Sequence, residues 1–568
     1  MKLAKLMKNT VFILILSFIL LSLNLFSQNI ETGEDALKYL ASEELEGRFP
    51  GTDGDNKSIA YIEDEFHSYS LRSFDFGYAQ NFEIVTDIEI GDNTNGRLND
   101  MMLQFGNDFM PLSFSASKSV TADLIYVENI EALGDFTEKI AMVYLTNEMT
   151  DKMSYRDLVK LSINIADAGA EGVVIITEGD MGEDDEFYPF NFSRSVSSIS
   201  IPVIQISKKL ILTTAQSNGY AAVDFDIECF DFLNINDEVL ELSVNIEIES
   251  ITSRTSNVLG FIPNGDSKDW IVIGAHYDHL GYGGPGSGSR APELNEIHNG
   301  ADDNASGVAM VLMLAEYFSK YSPNINMAFV LFGAEEEGLI GSKYFVENLP
   351  PEIENIKLMI NYDMVGRLGD NGISIIGGTT AEEFDSVLNQ FQTDELVLKI
   401  GGGGFSGSDQ ASFYSEKIPV LFFSTGLHGD YHTPKDDIEY INFDGMLKIA
   451  ELSVGIIKEF AKEDLRLTYK ATEQKNEARH GGEMKVKLGI MPDMTSRDSN
   501  GLGVDGVTPG GVADKSGILK GDKITALDGK PISGIYEYMH LMSEFEPGQE
   551  VVAHIIRNGE KIEITIKF

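Results

Sequence analysis

Short, continuously apolar runs that stop abruptly at polar residues punctuate the second half of the chain. WIVIGAH (Trp270–His276), NMAFVLFGA (Asn326–Ala334), KLMINYDM (Lys357–Met364) and IPVLFFSTG (Ile418–Gly426) each fit a buried strand, and ISIIGG (Ile373–Gly378) a shorter one. Between and after them the pattern has helical spacing, which predicts helices over Ala305–Tyr321, Gly341–Asn348, Ala381–Phe391 and Gly445–Lys462. Strand and helix in alternation imply an α/β sandwich around a central mixed, largely parallel sheet.

Upstream the texture changes. ADLIYVENI, KIAMVYLT, EGVVIITEG and IPVIQISKKL are β-branched runs separated by turns, with one clear helix in SYRDLVKLSINIADAGA. They predict a self-contained β-rich module over about 97–235. The last 83 residues, 486–568, read as a small barrel-like unit of short strands with one or two helices, reached through a polar linker at 466–485. Ahead of everything lie two helical stretches, ALKYLASEELEG and NKSIAYIEDEF, joined by the Gly/Pro-punctuated loop EGRFPGTDGD.

At the N-terminus Lys2, Lys5 and Lys8 precede an apolar run from Val11 to about Leu23, with the small residue Ser27 at a cleavage point. This reads as a signal peptide over 1–28, so the mature protein is expected in a secreted or periplasmic location with no membrane contact beyond export. The chain of 568 residues has 43% hydrophobic and 10% aromatic residues, a globular composition. Its 43 basic residues face 90 acidic ones, a net charge of −47 that argues against nucleic acid and anionic membranes as partners. The single cysteine, Cys229, excludes an intramolecular disulfide and reads as a buried free thiol. The acidic run Glu183, Asp184, Asp185 and Glu186 reads as a solvated loop.

Chemistry enters at the strand ends, where open α/β sheets bind their ligands. His276 ends one strand; Asp302 and Asp303 stand at the entrance of the next helix; Glu335 and Glu336 end a second strand; Asp363 ends a third; His432 follows a fourth. A lone carboxylate in such a place is usually a helix cap or a salt-bridge partner. Two histidines and several carboxylates without a thiolate, all on one edge, suit zinc or a similar divalent ion. A pair of ions sharing one carboxylate needs about that many ligands.

GAHYDH, NGADDNASG, FGAEEEGLIGS, NYDMVGR and YHTPKDD, in that order, resemble the motifs of the two-zinc aminopeptidases of the M28 peptidase family. LASEELEGRFPGTDGD resembles that family's N-terminal segment. The resemblance implies two zinc ions per chain, one bound by His276 and the other by His432, with Asp303 bridging and Glu336 and Asp363 completing the two sets. It implies that Glu335 is the general base, acting on a metal-bridging hydroxide, and that Asp278 orients the imidazole of His276. The domain it implies is discontinuous, over 29–96 and 236–465. The module at 97–235 resembles a protease-associated domain. The tail resembles a PDZ domain, in which Leu488, Gly489, Ile490 and Met491 would receive a peptide carboxylate and protein C-termini would be partners.

The expected activity is removal of N-terminal residues from peptide substrates by an exported zinc aminopeptidase. Carboxypeptidase, dipeptidase and glutaminyl cyclase chemistry occur on the same scaffold, and a non-catalytic binding protein would lack a ligand or the base. His279, His298 and His428 read as loop histidines bonded to backbone, and Tyr431 as a candidate oxyanion donor. Gln410 stands where the family often has histidine, a departure expected to alter substrate contacts.

Overall fold

The computed structural model describes residues 32–178, 187–192, 198–217, 240–265, 267–393, 396–405, 407–472, 485–493 and 500–568. The signal-peptide reading, Cys229, the acidic run at 183–186 and most of the linker lie outside the described residues. No helix among the described residues is long and apolar enough to cross a membrane.

The chain divides into two compact units, one of residues up to 84 with 253–476 and the other of residues 85–252 with 477–568. The first is organised around an eight-stranded mixed sheet. Its strands run in the order Ala79–Ile90, Ile248–Ile262, Asn326–Phe332, Asp269–His276, Asn355–Tyr362, Val420–Ser424, Ile373–Ile376 and Leu398–Ile400. The central four, from Asn326–Phe332 to Val420–Ser424, are parallel. Their continuous apolar runs are explained by cover on both faces. On one side lie the helices Gly307–Lys320 and Phe443–Phe460, with Val308, Leu312, Ile449 and Ile456 fully buried. On the other, Phe332, Phe345 and Phe413 form an aromatic layer with ring centroids about 6 Å apart.

One expected element is shorter than its pattern. The helix predicted over Ala381–Phe391 begins only at Phe384 and becomes a 3-10 turn at Asn389–Phe391. Ala381 is held in a bridge to Tyr469, and the Glu382 N–H donates to the Thr468 carbonyl at 3.1 Å. Those contacts hold Ala381 in a bridge and the next two residues in a turn, so local helix propensity loses to a long-range pairing at the start of the segment.

In the second unit a separate eight-stranded sheet takes in Asn95–Leu98 and Glu241–Asn245, which pair with each other near one edge. Lys139–Leu145 and Gly172–Thr177 pair in parallel at its centre, and the amphipathic helix Tyr155–Asp167 packs its Leu158, Val159 and Ile163 among the apolar residues of one face. That helix starts with a capping box, Ser154 and Asp157 each bonding the other's backbone N–H. The same unit holds a six-stranded sheet over 490–567 with the helix Ile535–Glu544.

Candidate functional site

The parallel strands bring their C-terminal ends to one edge of the first unit. His276, the last residue of its strand, stands opposite Phe332, the last of the neighbouring strand. Glu335 and Glu336 follow Phe332 after a two-residue turn, and Asp363 follows Tyr362 at the end of Asn355–Tyr362. Asp303 lies in the turn Ala301–Ser306 leading into the helix Gly307–Lys320, and His432 in the loop beyond Val420–Ser424. Ala334, Met364 and His432 have φ of 58°, 57° and 55°, so left-handed backbone is concentrated around these side chains.

The geometry splits on Asp303. Its Oδ1 is 3.3 Å from His276 Nε2 and its Oδ2 is 3.1 Å from His432 Nε2. Asp363 Oδ2 and Glu335 Oε2 lie 3.8 and 3.9 Å from His276 Nε2, while Glu336 Oε1 lies 3.3 Å from His432 Nε2. Ligand atoms around a tetrahedral ion with bonds of about 2.0–2.2 Å stand about 3.3–3.6 Å apart. The donor set, imidazole nitrogen and carboxylate oxygen without sulfur, suits zinc-like ions. Four carboxylates gathered in so small and buried a space require compensating positive charge.

Electrostatics separates the adjacent glutamates. Burial pushes Glu335 well above the usual carboxylate range, and the repulsion of Asp409, Glu336 and Asp363 adds to it despite the pull of His276. Burial also opposes charge on Glu336, yet His432 and the contact with His279 hold it well below that range. Asp303 is likewise held low against its burial by His276 and His432. Burial opposes the charged form of His432, but Glu336 and Asp303 raise it to about 11. The two neighbouring glutamates are thus pushed in opposite directions by their surroundings.

A supporting layer fixes the backbone that carries these side chains. The carboxylate of Asp278 accepts the N–H of Glu335 at 2.9 Å and of Glu336 at 3.2 Å. His276 Nδ1 lies 3.2 Å from the Asp278 carbonyl oxygen and 3.7 Å from its carboxylate, so the orienting contact on the imidazole is the main chain of Asp278. Asp436 Oδ2 accepts the N–H of both Asp302 and Asp303, at 3.0 and 2.9 Å, while its Oδ1 accepts from Arg367 at 2.7 Å. Asp302 faces away from the histidine pair: its Oδ1 accepts the Gly366 N–H and the Ser306 hydroxyl. Arg48, fully buried, donates to the carbonyls of Tyr277 at 2.7 Å, Asn299 at 2.6 Å, Gly300 at 3.1 Å and also Leu40. Gly47 before it has φ of 72°, and a Cβ there would stand 2.6 Å from the Gly281 and His298 carbonyl oxygens, so only glycine fits.

Arg48, Asp436 and Arg367 are structural supports of these loops that sequence reasoning passed over, although each lies inside a motif it quoted: EGR, KDD and GR. Three further readings change. His279 bonds not to backbone but to Glu336, with Nδ1 2.9 Å from Oε1. His428 Nε2 lies 3.4 Å from Asp302 Oδ2 and 3.8 Å from Asp436 Oδ1, again among carboxylates. His298 does meet a backbone carbonyl, that of Glu296 at 2.9 Å, and also the Ser289 hydroxyl at 2.8 Å. Gln410 is fully buried, and its Oε1 accepts from Asn361 at 3.0 Å, which gives it an interior role. Tyr431 stacks on the His432 ring with centroids 3.8 Å apart.

In the tail, Leu488 to Met491 lead into the strand Ile490–Pro492, at one end of its sheet's strand order. Gly489 has φ of 80°, and the carbonyls of Leu488 and Gly489 accept the N–H groups of Ala513 and Thr508.

Residues 257–457 match the model of peptidase family M28, and residues 486–568 that of the PDZ domain. The chain is similar to aminopeptidase YwaD of Bacillus subtilis (strain 168), 24% identical over 74% of this chain and 83% of that protein. A probable leucine aminopeptidase of Trichophyton verrucosum (strain HKI 0517) is 27% identical over 48% of this chain and 78% of its own length. Among solved structures, an aminopeptidase from Aneurinibacillus sp. strain AM-1 is 24% identical, covers 78% of this chain and 96% of its own, and has a TM-score of 0.45.

Proposed function

The chain carries a peptidase family M28 domain over 257–457 and a PDZ domain over 486–568, and on that premise we propose that it is an exported zinc aminopeptidase acting on peptides. The observation that carries the reading is Asp303, whose two oxygens each face a different imidazole. His276 and Asp363 would hold one zinc ion and His432 and Glu336 the other, with Asp303 shared between them. When bound, such a pair polarises a carbonyl and acidifies water.

The protein groups then have distinct tasks. Glu335, the glutamate whose proton affinity burial raises, takes a proton from the attacking water and returns it to the leaving amine. Asp278 keeps the Glu335–Glu336 backbone fixed, so the base and the ligand diverge from one anchored turn. The carboxylates gathered at the site favour a substrate that presents a free α-ammonium group. The insert, with its likeness to a protease-associated domain, is assigned a substrate-selecting role. Leu488 to Met491 are assigned to bind peptide C-termini.

The decisive experiment combines metal analysis with a substrate panel. Purified protein should contain close to two zinc per chain and cleave free-amine peptides, including C-terminally blocked ones, while sparing N-acetylated ones. One zinc or none would remove the two-ion reading. Cleavage of acetylated peptides that depends on a free C-terminus would point to a carboxypeptidase. N-terminal sequencing of the mature protein, expected to begin near residue 29, tests export.

A further inference from the structure

His279 is fully buried and lies against the carboxylate side of the site, yet neither the motif resemblance nor the division of roles above uses it. Its main-chain N–H donates to the Arg48 carbonyl at 3.3 Å, and its ring is packed on Gly300, where a Cβ would stand 2.5 Å from Cδ2. The ring is therefore held against Gly300 while its main chain is tied to Arg48. Held so, its Nδ1 is 2.9 Å from Glu336 Oε1 and 4.0 Å from Asp303 Oδ2, and its plane meets that of His432 at 72° with centroids 5.8 Å apart. Its Nε2 has no hydrogen-bond partner among the described residues.

We propose that His279 is a positioning residue that donates Nδ1–H to Glu336 Oε1 and keeps that carboxylate turned toward His432. The proposal rests on the two-ion reading above. Two arrangements are chemically open to a histidine here. As a direct ligand through Nδ1, it would carry its hydrogen on Nε2, a buried N–H without an acceptor. Ligating histidines ordinarily donate that second N–H, and an orphaned buried donor is the rarer and costlier state. With hydrogen on Nδ1, the short contact to Glu336 becomes a charge-assisted hydrogen bond and only a lone pair is left over at Nε2. The second arrangement fits the distances.

Glu336 then has its position fixed at both ends. Asp278 holds its main-chain N–H, and His279 holds its carboxylate. Without the second hold, the side chain would be free to swing from His432, and the ion assigned to that half of the site would lose a prepared ligand. Removing a supporting hydrogen bond of this kind typically weakens metal affinity about 10–100-fold.

The test uses the full chain and zinc itself. An asparagine at this position places its Nδ2 near the histidine Nδ1, whereas a glutamine places its donor near Nε2. Wild type, H279N, H279Q and H279A are each titrated with a chelator of known zinc affinity, and retained zinc is measured. H279N should hold both ions nearly as wild type does, while H279Q and H279A should release one ion about 10–100-fold more readily and keep the other. Equal affinities in all four proteins, or H279N as weak as H279A, would overturn the proposal; the second result would favour direct ligation. H279N and H279Q are near the size of histidine, so their contrast decides even if H279A fails to fold. Should wild type bind a single ion, the two-ion reading falls, and the asparagine–glutamine contrast on that ion still decides the role of His279.

Discussion

Asp278 accepts the backbone N–H of Glu335 at 2.9 Å, and its second oxygen takes that of Glu336 at 3.2 Å. A carboxylate is the only side chain of this size that offers two acceptors facing the same way. Asp278→Asn keeps the shape but turns one acceptor into a donor aimed at an N–H. Turnover should fall about 10–100-fold with zinc content retained, by analogy with other supporting contacts in metal sites. Activity within twofold of wild type would mean the turn is held by its neighbours alone.

Glu335→Gln removes the proton acceptor and changes almost nothing else in size. Peptide hydrolysis should drop on the order of 10²–10⁴-fold while zinc stays bound. Near-normal rates would shift the base to another carboxylate, with Asp409, raised to about 7 chiefly by burial, the next to examine.

Stability should carry a pH signature from Asp55. Burial raises its carboxyl from 3.8 to about 7, against hydrogen bonds from Gly51, Thr255 and Tyr277. An acid raised on folding is protonated in the native chain while still ionised in the unfolded one. The unfolded state therefore binds fewer protons between about pH 4 and 7, and stability falls as pH rises through that window. Between pH 5 and 8 the loss attributable to this group is on the order of 3 kcal/mol. Denaturant unfolding of wild type and Asp55→Asn at both pH values should show a clearly flatter dependence in the variant. Parallel curves would place the titration elsewhere.

Removal of residues 486–568 separates catalysis from support. Within the second unit, Tyr536 packs on the apolar cluster of the insert, and Glu537 Oε1 accepts the Ser200 N–H at 3.1 Å. Truncated protein should hydrolyse short peptides within about twofold of the full chain, since every group assigned to the reaction lies in the first unit. Thermal melting of the insert should fall by several degrees, the scale expected for about 1 kcal/mol in a domain of this size. Loss of hydrolysis would give the tail a part in the reaction.

What the sequence made legible followed from local pattern. The run ending at His276 and those ending before Glu335 and at Asp363 are uninterrupted apolar strands, and parallel strands in one sheet must end on the same edge. Motif order supplied the rest of the candidate set. Less legible were residues that act through the main chain of a distant segment. Arg48 is 229 residues from Tyr277, and Asp436 is 133 from Asp303. Neither carries a periodicity that points to its partner. His279 was misread for a related reason: its carboxylate partner lies 57 residues away, whereas the loop reading considered only adjacent backbone.

Arg48 also bears on what could be transplanted. Every side chain assigned to hold metal or move a proton lies between 276 and 432, within the span matched by the family model. The guanidinium that ties together the carbonyls of Tyr277, Asn299 and Gly300 comes from before residue 85, on the far side of the insert in sequence. An excised 253–476 fragment would inherit the reagents and not the keystone of their loop. Any recombination that moves this catalytic half into another protein has to bring the N-terminal segment with it, or supply an equivalent cation of its own.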